Sequence, residues 1–377
     1  MSRDKPFVSI VVLNYNGKKW LKECFESLGG LEYPKDKYEV IMGDNRSTDD
    51  SVDYVKKNFP SVKVLQFDKN YGFCKGNNLC AKEAKGDYLV ILNNDTFVDK
   101  KWLKYLINGI SKDEKIISTV GKIFHPESKL IWSAGGVIFP DGCGLYTGYF
   151  TPESDKYNIP RYTGFGTGAG VLVEKKFFIS TGGFDEYYFY TGEENDLGFR
   201  VWASGYKVKY IPSAVMHHYG GKTGSPDKYK TTPVMEFLVT RNKLYFIIKN
   251  FDLNNIIKGI LLHMIRSFAM IMYAIIHKNI YTPIAILKAY VFVIKDIKII
   301  LKKRKIFRKN KIVKDSELYK HGIIVGVGEW FKIYIDAMRN AERNVTEGDI
   351  FSKKDAINLK VENGKFVFVK QKNEPIK

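Results

Sequence analysis

Residues 7–17 read FVSIVVLNYNG, and the fold follows from how this stretch is read. Phe7 to Leu13 is β-branched and nearly all apolar, and it stops at Asn14-Tyr15-Asn16-Gly17, which is turn chemistry. Apolar residues at successive rather than alternate positions mark a strand buried on both faces, as in a parallel sheet. Outward from it, Trp20, Leu21, Cys24, Phe25 and Leu28 share one helical face. A second strand, Tyr38–Met42, ends in Gly43-Asp44-Asn45, and Ser47-Thr48-Asp49-Asp50 reads as an N-cap cluster for a helix reaching about Phe59. A third strand covers Val62–Phe67, and a Gly-containing loop from Asn70 to Asn78 opens a helix ending near Lys85. A fourth, Asp87–Leu92, stops at Asn93-Asn94-Asp95. Strand–helix alternation at roughly 25–30 residues per unit predicts an open parallel α/β sheet with right-handed crossovers. Ligands bind such sheets beyond the carboxyl ends of the strands. The polar clusters at 14–16, 43–49 and 93–95 all fall at that edge, which points to a nucleotide-like ligand.

The second half is less regular. Short strands and turns are expected over 116–150, then a glycine-dense loop, Gly164 to Gly170, and a strand Val171–Glu174. A short helix over 175–182, an acidic cluster Glu193-Glu194-Asn195-Asp196, a helix stopped by Gly205, a strand Lys207–Ile211 and His217-His218 follow. Across the 377 residues, 60 Lys and Arg against 41 Asp and Glu give a net charge of +19, which asks for an anionic partner. With 45% apolar residues, disorder of the whole chain is excluded. Four cysteines without a CxxC pair fit a reducing cytosolic compartment, and no secretory signal is read at the N-terminus. From 256 to 301 the sequence turns greasy but is interrupted by Lys258, His263, Arg266, Lys278, Lys288 and Lys295. No charge-free apolar window of ~18 residues is found, so interfacial amphipathic helices are expected in place of a spanning one. The basic run 302–314 beside them suits an anionic membrane surface. RNA is disfavoured as a partner, because no RNP-type, KH-like or zinc-knuckle pattern is present.

The motifs VSIVVLNYNG (8–17), GDNRSTD (43–49), NYGFCKGNN (70–78), LNNDT (92–96), GGFDE (182–186), EENDLGFR (193–200) and AVMHH (214–218) together resemble the inverting family 2 glycosyltransferases, and most closely the rhamnosyltransferase-like ones. The resemblance covers about residues 7–220. It implies a GT-A nucleotide-diphospho-sugar transferase fold, an open, mostly parallel sheet flanked by helices, followed here by amphipathic C-terminal helices. It also implies a division into a donor-binding half (1–100), an acceptor-binding and catalytic half (101–250), basic membrane-associating helices (251–315) and a tail (316–377).

The resemblance further implies roles. Asp44 would accept a hydrogen bond from the nucleotide base, with Asn14 and Asn45 lining the same pocket. Asn70 and Asn78 would contact other donor groups. Asn93-Asn94-Asp95 stands where the family carries its acidic metal motif. Asn93 would reach a ribose hydroxyl, and Asp95 would hold a divalent cation, Mn2+ or Mg2+, against the diphosphate, with His217 completing the site. Inversion needs a base on the face opposite the leaving group. Glu194 occupies that position where the family usually has Asp, Glu193 is a possible substitute, and Asp196 would orient the helix or touch the acceptor. Arg241 would meet a lipid-linked diphosphate, or cap a helix.

The expected activity is metal-assisted single displacement of a sugar from dTDP-rhamnose or a UDP-hexose onto a hydroxyl of a growing, lipid-linked or free, cell-surface glycan. The expected place is the cytoplasmic face of the cell membrane, peripherally bound. Asn93 and Glu194 depart from the family pattern, so a catalytically silent nucleotide-sugar-binding or scaffold protein stays open as the second reading.

Overall fold

The computed structural model describes residues 5–220 and 233–332, and the backbone of 358–362 and 365–369. The described residues group into two compact units. The first holds 5–139, 143–220 and 306–325; the second holds 140–142, 233–305 and the remainder.

The first unit begins with the expected alternation: β1 (Val8–Asn14), α1 (Lys18–Gly29), β2 (Tyr38–Asp44), α2 (Ser51–Asn58), β3 (Lys63–Gln66), α3 (Gly72–Glu83) and β4 (Tyr88–Asn93). It continues with β5 (Thr96–Val98), α4 (Trp102–Asn108), β6 (Ile116–Phe124), β7 (Ile131–Ser133), β8 (Gly136–Ile138), β9 (Gly144–Tyr146), β10 (Arg161–Tyr162), β11 (Gly170–Glu174), α5 (Lys175–Ser180), α6 (Glu193–Ala203) and β12 (Lys207–His218).

The main sheet runs β10-β12-β6-β11-β4-β1-β2-β3. β4, β1, β2 and β3 are mutually parallel, β6 and β12 are parallel, and β11 is antiparallel between β4 and β6. Val8, Ile10, Val11 and Val12 of β1 are fully buried, as an apolar run sandwiched by helices requires. On α1, Leu21, Cys24, Phe25 and Leu28 are buried, the face given by their spacing. Each such side chain contributes ~1.5–3 kcal/mol by leaving water. Register sets the site: Asn14 lies beside Asp44 on β2, and Leu13 beside Asn93 on β4, so the three strands end together.

α2 starts at Ser51, directly after the expected cap cluster, with Asp50 at the N-cap position and Phe59 just past its end, and Arg46 and Asp50 are at φ +62° and +55°. Ser47 is tied to the end of β2 by Asp44, which accepts hydrogen bonds from its N–H at 2.8 Å and its hydroxyl at 2.6 Å.

The second unit contains α7 (Pro233–Asn250), α8 (Leu253–Ile276), α9 (Tyr281–Lys295) and α10 (Ile297–Arg308), whose last residues return to the first unit. α7, α8 and α9 pack on one another. Arg304 donates to the carbonyls of Ile248 at 2.8 Å and Phe251 at 2.6 Å, satisfying the orphan carbonyls where α7 ends. α8 differs from expectation: its 24 residues have a mean hydropathy of 1.8 over an 18-residue window, long and apolar enough to cross a membrane by length and composition. α11 (Asp315–Lys320) belongs to the first unit, where the preceding Ile312 N–H donates to Ala203 O at 2.8 Å. The strands β13 (Asn358–Glu362) and β14 (Lys365–Val369) pair antiparallel, in keeping with the alternating strand-like residues of the sequence at 365–369. The sequence also has weakly helical spacing over 329–343, most of which lies outside the described residues.

Candidate active site

The carboxyl ends of β1, β2 and β4 carry a closed polar network. Asn14 donates to Asp44 Oδ1 at 3.0 Å and to Ser47 Oγ at 3.1 Å, and accepts from Asn94 Nδ2 at 2.7 Å. Asp44 is buried, and both its oxygens take hydrogen bonds from Asn14 and Ser47. Its carboxylate is thus engaged within the network by Asn14 and the Ser47 turn. Asn45 bridges to the start of α3, accepting from Tyr71 N at 3.2 Å and donating to Gly72 O at 3.3 Å. Asn70 accepts from Gly72 N at 2.9 Å. Gly76 on α3 leaves room for this approach, since a Cβ there would stand 2.6 Å from Leu13 Cδ1 and the leucine side chain would have to shift.

Asn78 is not open to a ligand. It donates to Phe184 O and accepts from Phe184 N, both at 2.8 Å, bracing α3 against the 183–186 segment. Gly183, at φ +70°, makes room for that brace, because a Cβ would lie 2.3 Å from Asn78 Oδ1.

Asp95 follows β4 and is 4% exposed. Its Oδ1 lies 3.2 Å from Nε2 of His218, and Asn93 Nδ2 is 3.4 Å from the same nitrogen. Burial opposes ionisation of Asp95, but the charge and hydrogen bond of His218, with the main-chain N–H groups of Asp95 and Gly220, outweigh it and hold the carboxyl below its ordinary value. Nδ1 of His218 is buried with no partner among the described residues.

His217, the expected ligand, is on the other face of β12. It stacks on Phe97 with centroids 4.4 Å apart and planes 10° from parallel, and its Nε2 is 3.8 Å from Asp99 Oδ1. Adjacent strand residues point oppositely, and the pairing of β12 with β5 turns His218, not His217, toward Asp95.

The acidic cluster forms the first turn of α6, favoured there by the helix dipole. The chain enters it through Phe189, Thr191 and Gly192 at φ +63°, +67° and +86°. Left-handed backbone at an aromatic and a β-branched residue is strained, the kind of conformation kept where a site requires it. Glu194 accepts one hydrogen bond from the Tyr146 hydroxyl and one from Gly168 N–H at 2.5 Å, a donor from each of two loops onto its two oxygens. Burial raises its pKa, while Tyr146, Gly168 and His218 pull it back. Glu193 is buried and its Oε2 has no partner among the described residues. Burial, and then the charge of Glu194, push its carboxyl up to about 8. Tyr190 joins this group to the β4 end: burial and then the charges of Glu193, Glu194 and Asp95 push its hydroxyl up to about 12.

Asp196, by contrast, is turned inward. It binds Arg200 Nε at 2.8 Å and accepts from Tyr188 at 3.3 Å, while Arg200 reaches Thr181 Oγ1 at 2.9 Å and Gly183 O at 2.7 Å. Asp196 thus anchors the helix and is not presented to an acceptor. Arg241 lies in the helical unit, fully buried, donating to Asn242 Oδ1 at 2.9 Å and 2.5 Å beneath the Phe292 ring.

Asp95, His218, Glu193, Glu194 and Tyr190 are therefore one neighbourhood. Four groups here were not among the site residues read from the sequence: His218, Tyr146, Tyr190 and the Gly168 N–H. Strand alternation from His217 carried a signal for the first; the other three depend on loop placement.

A divalent cation is tested by the donor set. Among the described residues no group of three or more His, Cys, Asp or Glu surrounds a common point. One carboxylate and one imidazole at 3.2 Å fit an ion that completes its shell with phosphate oxygens and water.

Residues 9–175 match the family model Glycosyl transferase family 2. The chain is 26% identical over 235 residues to the dolichyl N-acetyl-alpha-D-glucosaminyl phosphate 3-beta-D-2,3-diacetamido-2,3-dideoxy-beta-D-glucuronosyltransferase of Methanococcus voltae, covering 56% of this chain and 67% of that one. It is 27% identical over 239 residues to the N-acetylglucosaminyl-diphospho-decaprenol L-rhamnosyltransferase of Mycobacterium tuberculosis, covering 57% and 77%. Another relative, 31% identical, is matched over only 18% of its length. Among solved structures, GalNAc-T7 with UDP, GalNAc and Mn2+ aligns at a TM-score of 0.50 with 20% identity, over 72% of this chain and 58% of that one, a likeness of fold. The strand order, the polar carboxyl edge and these relatives agree: residues 9–175 match glycosyl transferase family 2, the fold is GT-A-like, and the relatives the chain resembles are named glycosyltransferases.

Proposed function

We propose that the chain transfers a sugar from a nucleotide-diphospho-sugar, dTDP-rhamnose or a UDP-hexose, to a hydroxyl of a cell-surface glycan, with inversion in one displacement. The observation that carries this reading is Glu194, held at both oxygens by Tyr146 and Gly168 and neighboured by His218. A carboxylate so fixed is a general base with its remaining lone pairs aimed in one direction. It takes the proton of the acceptor hydroxyl as that oxygen bonds to the anomeric carbon. The bond from the anomeric carbon to the phosphate oxygen breaks, and its electron pair leaves with the diphosphate.

Glu193, with its carboxyl raised to about 8, keeps a proton at neutral pH and spares the pair a second negative charge. Asp95 and His218 are the residues that would hold Mn2+ or Mg2+. When bound, the ion supplies positive charge to the departing diphosphate. The Asn14–Asp44–Ser47 network frames the nucleoside end, and Asn93 faces the same edge. The exposed apolar faces of α8 and α9, with the lysines of α10, would rest the enzyme on an anionic cytoplasmic membrane surface, beside a lipid-linked acceptor.

The test is thermal stabilisation of the purified protein by UDP-, dTDP- and GDP-sugars with and without Mn2+. Bound ligand stabilises by mass action, ~2.7 kcal/mol at a hundredfold excess over Kd. A Mn2+-dependent shift with one nucleotide, lost in Asp95→Asn, is the expected result. No shift with any of them overturns the reading, and binding without transfer to any acceptor leaves the silent scaffold standing.

A further inference from the structure

The surroundings of Glu194 and His218 are rich in aromatic rings, one of which, Trp132, also packs against the hydrophobic core. The Trp132 ring meets His218 edge to face at 4.9 Å, Tyr149 meets Trp132 at 5.3 Å, and Tyr146 lies 6.2 Å from Tyr149. Tyr146 then donates its hydroxyl to Glu194. An arc of rings thus runs from the histidine beside Asp95 to the carboxylate that takes the proton.

The middle of the arc is displayed. Tyr149 is 46% exposed, at the tip of a tight loop whose flanking residues, Gly148 and Phe150, both have left-handed backbone at φ +77° and +52°. Phe150 is not glycine, so this conformation is disfavoured, and it is held by Phe150 N–H to Ile131 O at 2.8 Å and Thr151 N–H to Gly148 O at 3.0 Å. Water-facing aromatic surface on a braced, strained loop beside a catalytic carboxylate is a preorganised binding surface. Gly220 permits the arc to close on its far side, since a Cβ there would enter the Trp132 ring at 2.2 Å.

We infer that Trp132 and Tyr149 form the acceptor platform, taking the C–H face of a pyranose while its hydroxyl points at Glu194. The inference rests on the glycosyltransferase reading and deepens it. A pyranose has an apolar face of C–H groups and a rim of hydroxyls. An aromatic surface ending in a carboxylate, a phenol and an imidazole matches both, whereas the nucleoside end of the site is the polar network of Asn14 and Asp44.

The experiment measures saccharide binding without nucleotide, by saturation-transfer NMR, using methyl glycosides of glucose, N-acetylglucosamine and rhamnose as probes. At least one glycoside is expected to receive saturation at its ring C–H protons from aromatic protons. Tyr149→Ala should weaken it about fivefold, while Tyr149→Phe and the distant control Tyr206→Ala keep it. Trp132→Phe, which keeps an aromatic ring in place, should weaken it less than Tyr149→Ala. No binding of any glycoside at millimolar concentration, or equal binding by Tyr149→Ala, overturns the platform. UDP and dTDP binding, followed separately with Mn2+, reports on the donor site, so failure of the wider reading is seen independently of failure of the platform.

Discussion

Nε2 of His218 stands 3.2 Å from Oδ1 of Asp95, although 123 residues separate the two in sequence, while the preceding His217 stacks on Phe97 on the opposite face of the same strand. The pair exists because β5, directly after the Asp95 turn, hydrogen-bonds antiparallel to the end of β12, with His218 opposite Thr96. A divalent cation held by this pair, as proposed, would have to complete its shell with phosphate oxygens and water.

His218→Ala should therefore abolish the Mn2+-dependent part of nucleotide binding, a loss of about tenfold or more, corresponding to roughly 1.4 kcal/mol. His217→Ala should leave it within about twofold, since that ring packs on Phe97 and is 3.8 Å from Asp99. Titration calorimetry of UDP and dTDP with and without Mn2+ checks both. An equal loss in the two variants would sink the assignment of His218.

The two glutamates should separate by charge. Glu194→Gln removes the proton acceptor but can keep both hydrogen bonds in part, so turnover should fall about 10²–10⁴-fold with nucleotide affinity retained. Glu193→Gln imitates a carboxyl that already carries its proton at neutral pH, and turnover should stay within roughly threefold. Initial rates beside nucleotide Kd values decide. The reverse pattern would make Glu193 the base.

Stability should carry the signature of Glu193. Its folded carboxyl titrates at about 8 against an ordinary 4.5. Between those values the native state binds a proton that the unfolded chain has released, so stability falls as pH rises through the window. Below the ordinary value both states are protonated and nothing is lost. Melting temperatures from pH 5 to 8 should decline more steeply in the wild type than in Glu193→Gln, and parallel curves would refute the buried, protonated state.

Much of this was legible in the chain. The β1–β4 alternation and its polar edge follow from apolar runs ended by Asn and Asp, because strand burial and turn chemistry are local. The acidic start of α6 was also legible as composition. What sequence could not supply was orientation. Asp44, Asn78 and Asp196 are polar residues at motif positions, yet each is turned into the protein by a partner fixed by the fold: Ser47, Phe184 and Arg200. Tyr146 and Gly168 reach Glu194 from distant loops, a closure that no local pattern encodes.

Asn78 gives a sharp contrast between bracing and binding. Asn78→Ala removes two hydrogen bonds to Phe184 and leaves both main-chain groups buried, which should cost about 2–3 kcal/mol. Nucleotide affinity at a temperature where the variant is folded should be unchanged. Weaker nucleotide binding with an unchanged melting temperature would return Asn78 to the donor site.

The helical unit makes the last prediction. Leu261, Ile265 and Phe268 on α8 and Ile284, Leu287 and Val291 on α9 are all exposed, far more apolar surface than a solvated helix pair presents by chance. On α10, Lys298, Lys302 and Lys305 are exposed and spaced four and three apart, so they share a face. An apolar face with lysines alongside suits a bilayer carrying anionic headgroups, where each basic residue adds ~1 kcal/mol. The protein should co-sediment with vesicles containing phosphatidylglycerol and less with pure phosphatidylcholine. Changing the three lysines to Glu should weaken binding at least about tenfold, as should high salt. Phe268→Asp should weaken binding to both vesicle types, because it removes the apolar term that is blind to charge. Release from membranes by alkaline carbonate marks an interfacial helix. Retention would mean that α8, with its window of mean hydropathy 1.8, crosses the bilayer instead of lying in its surface.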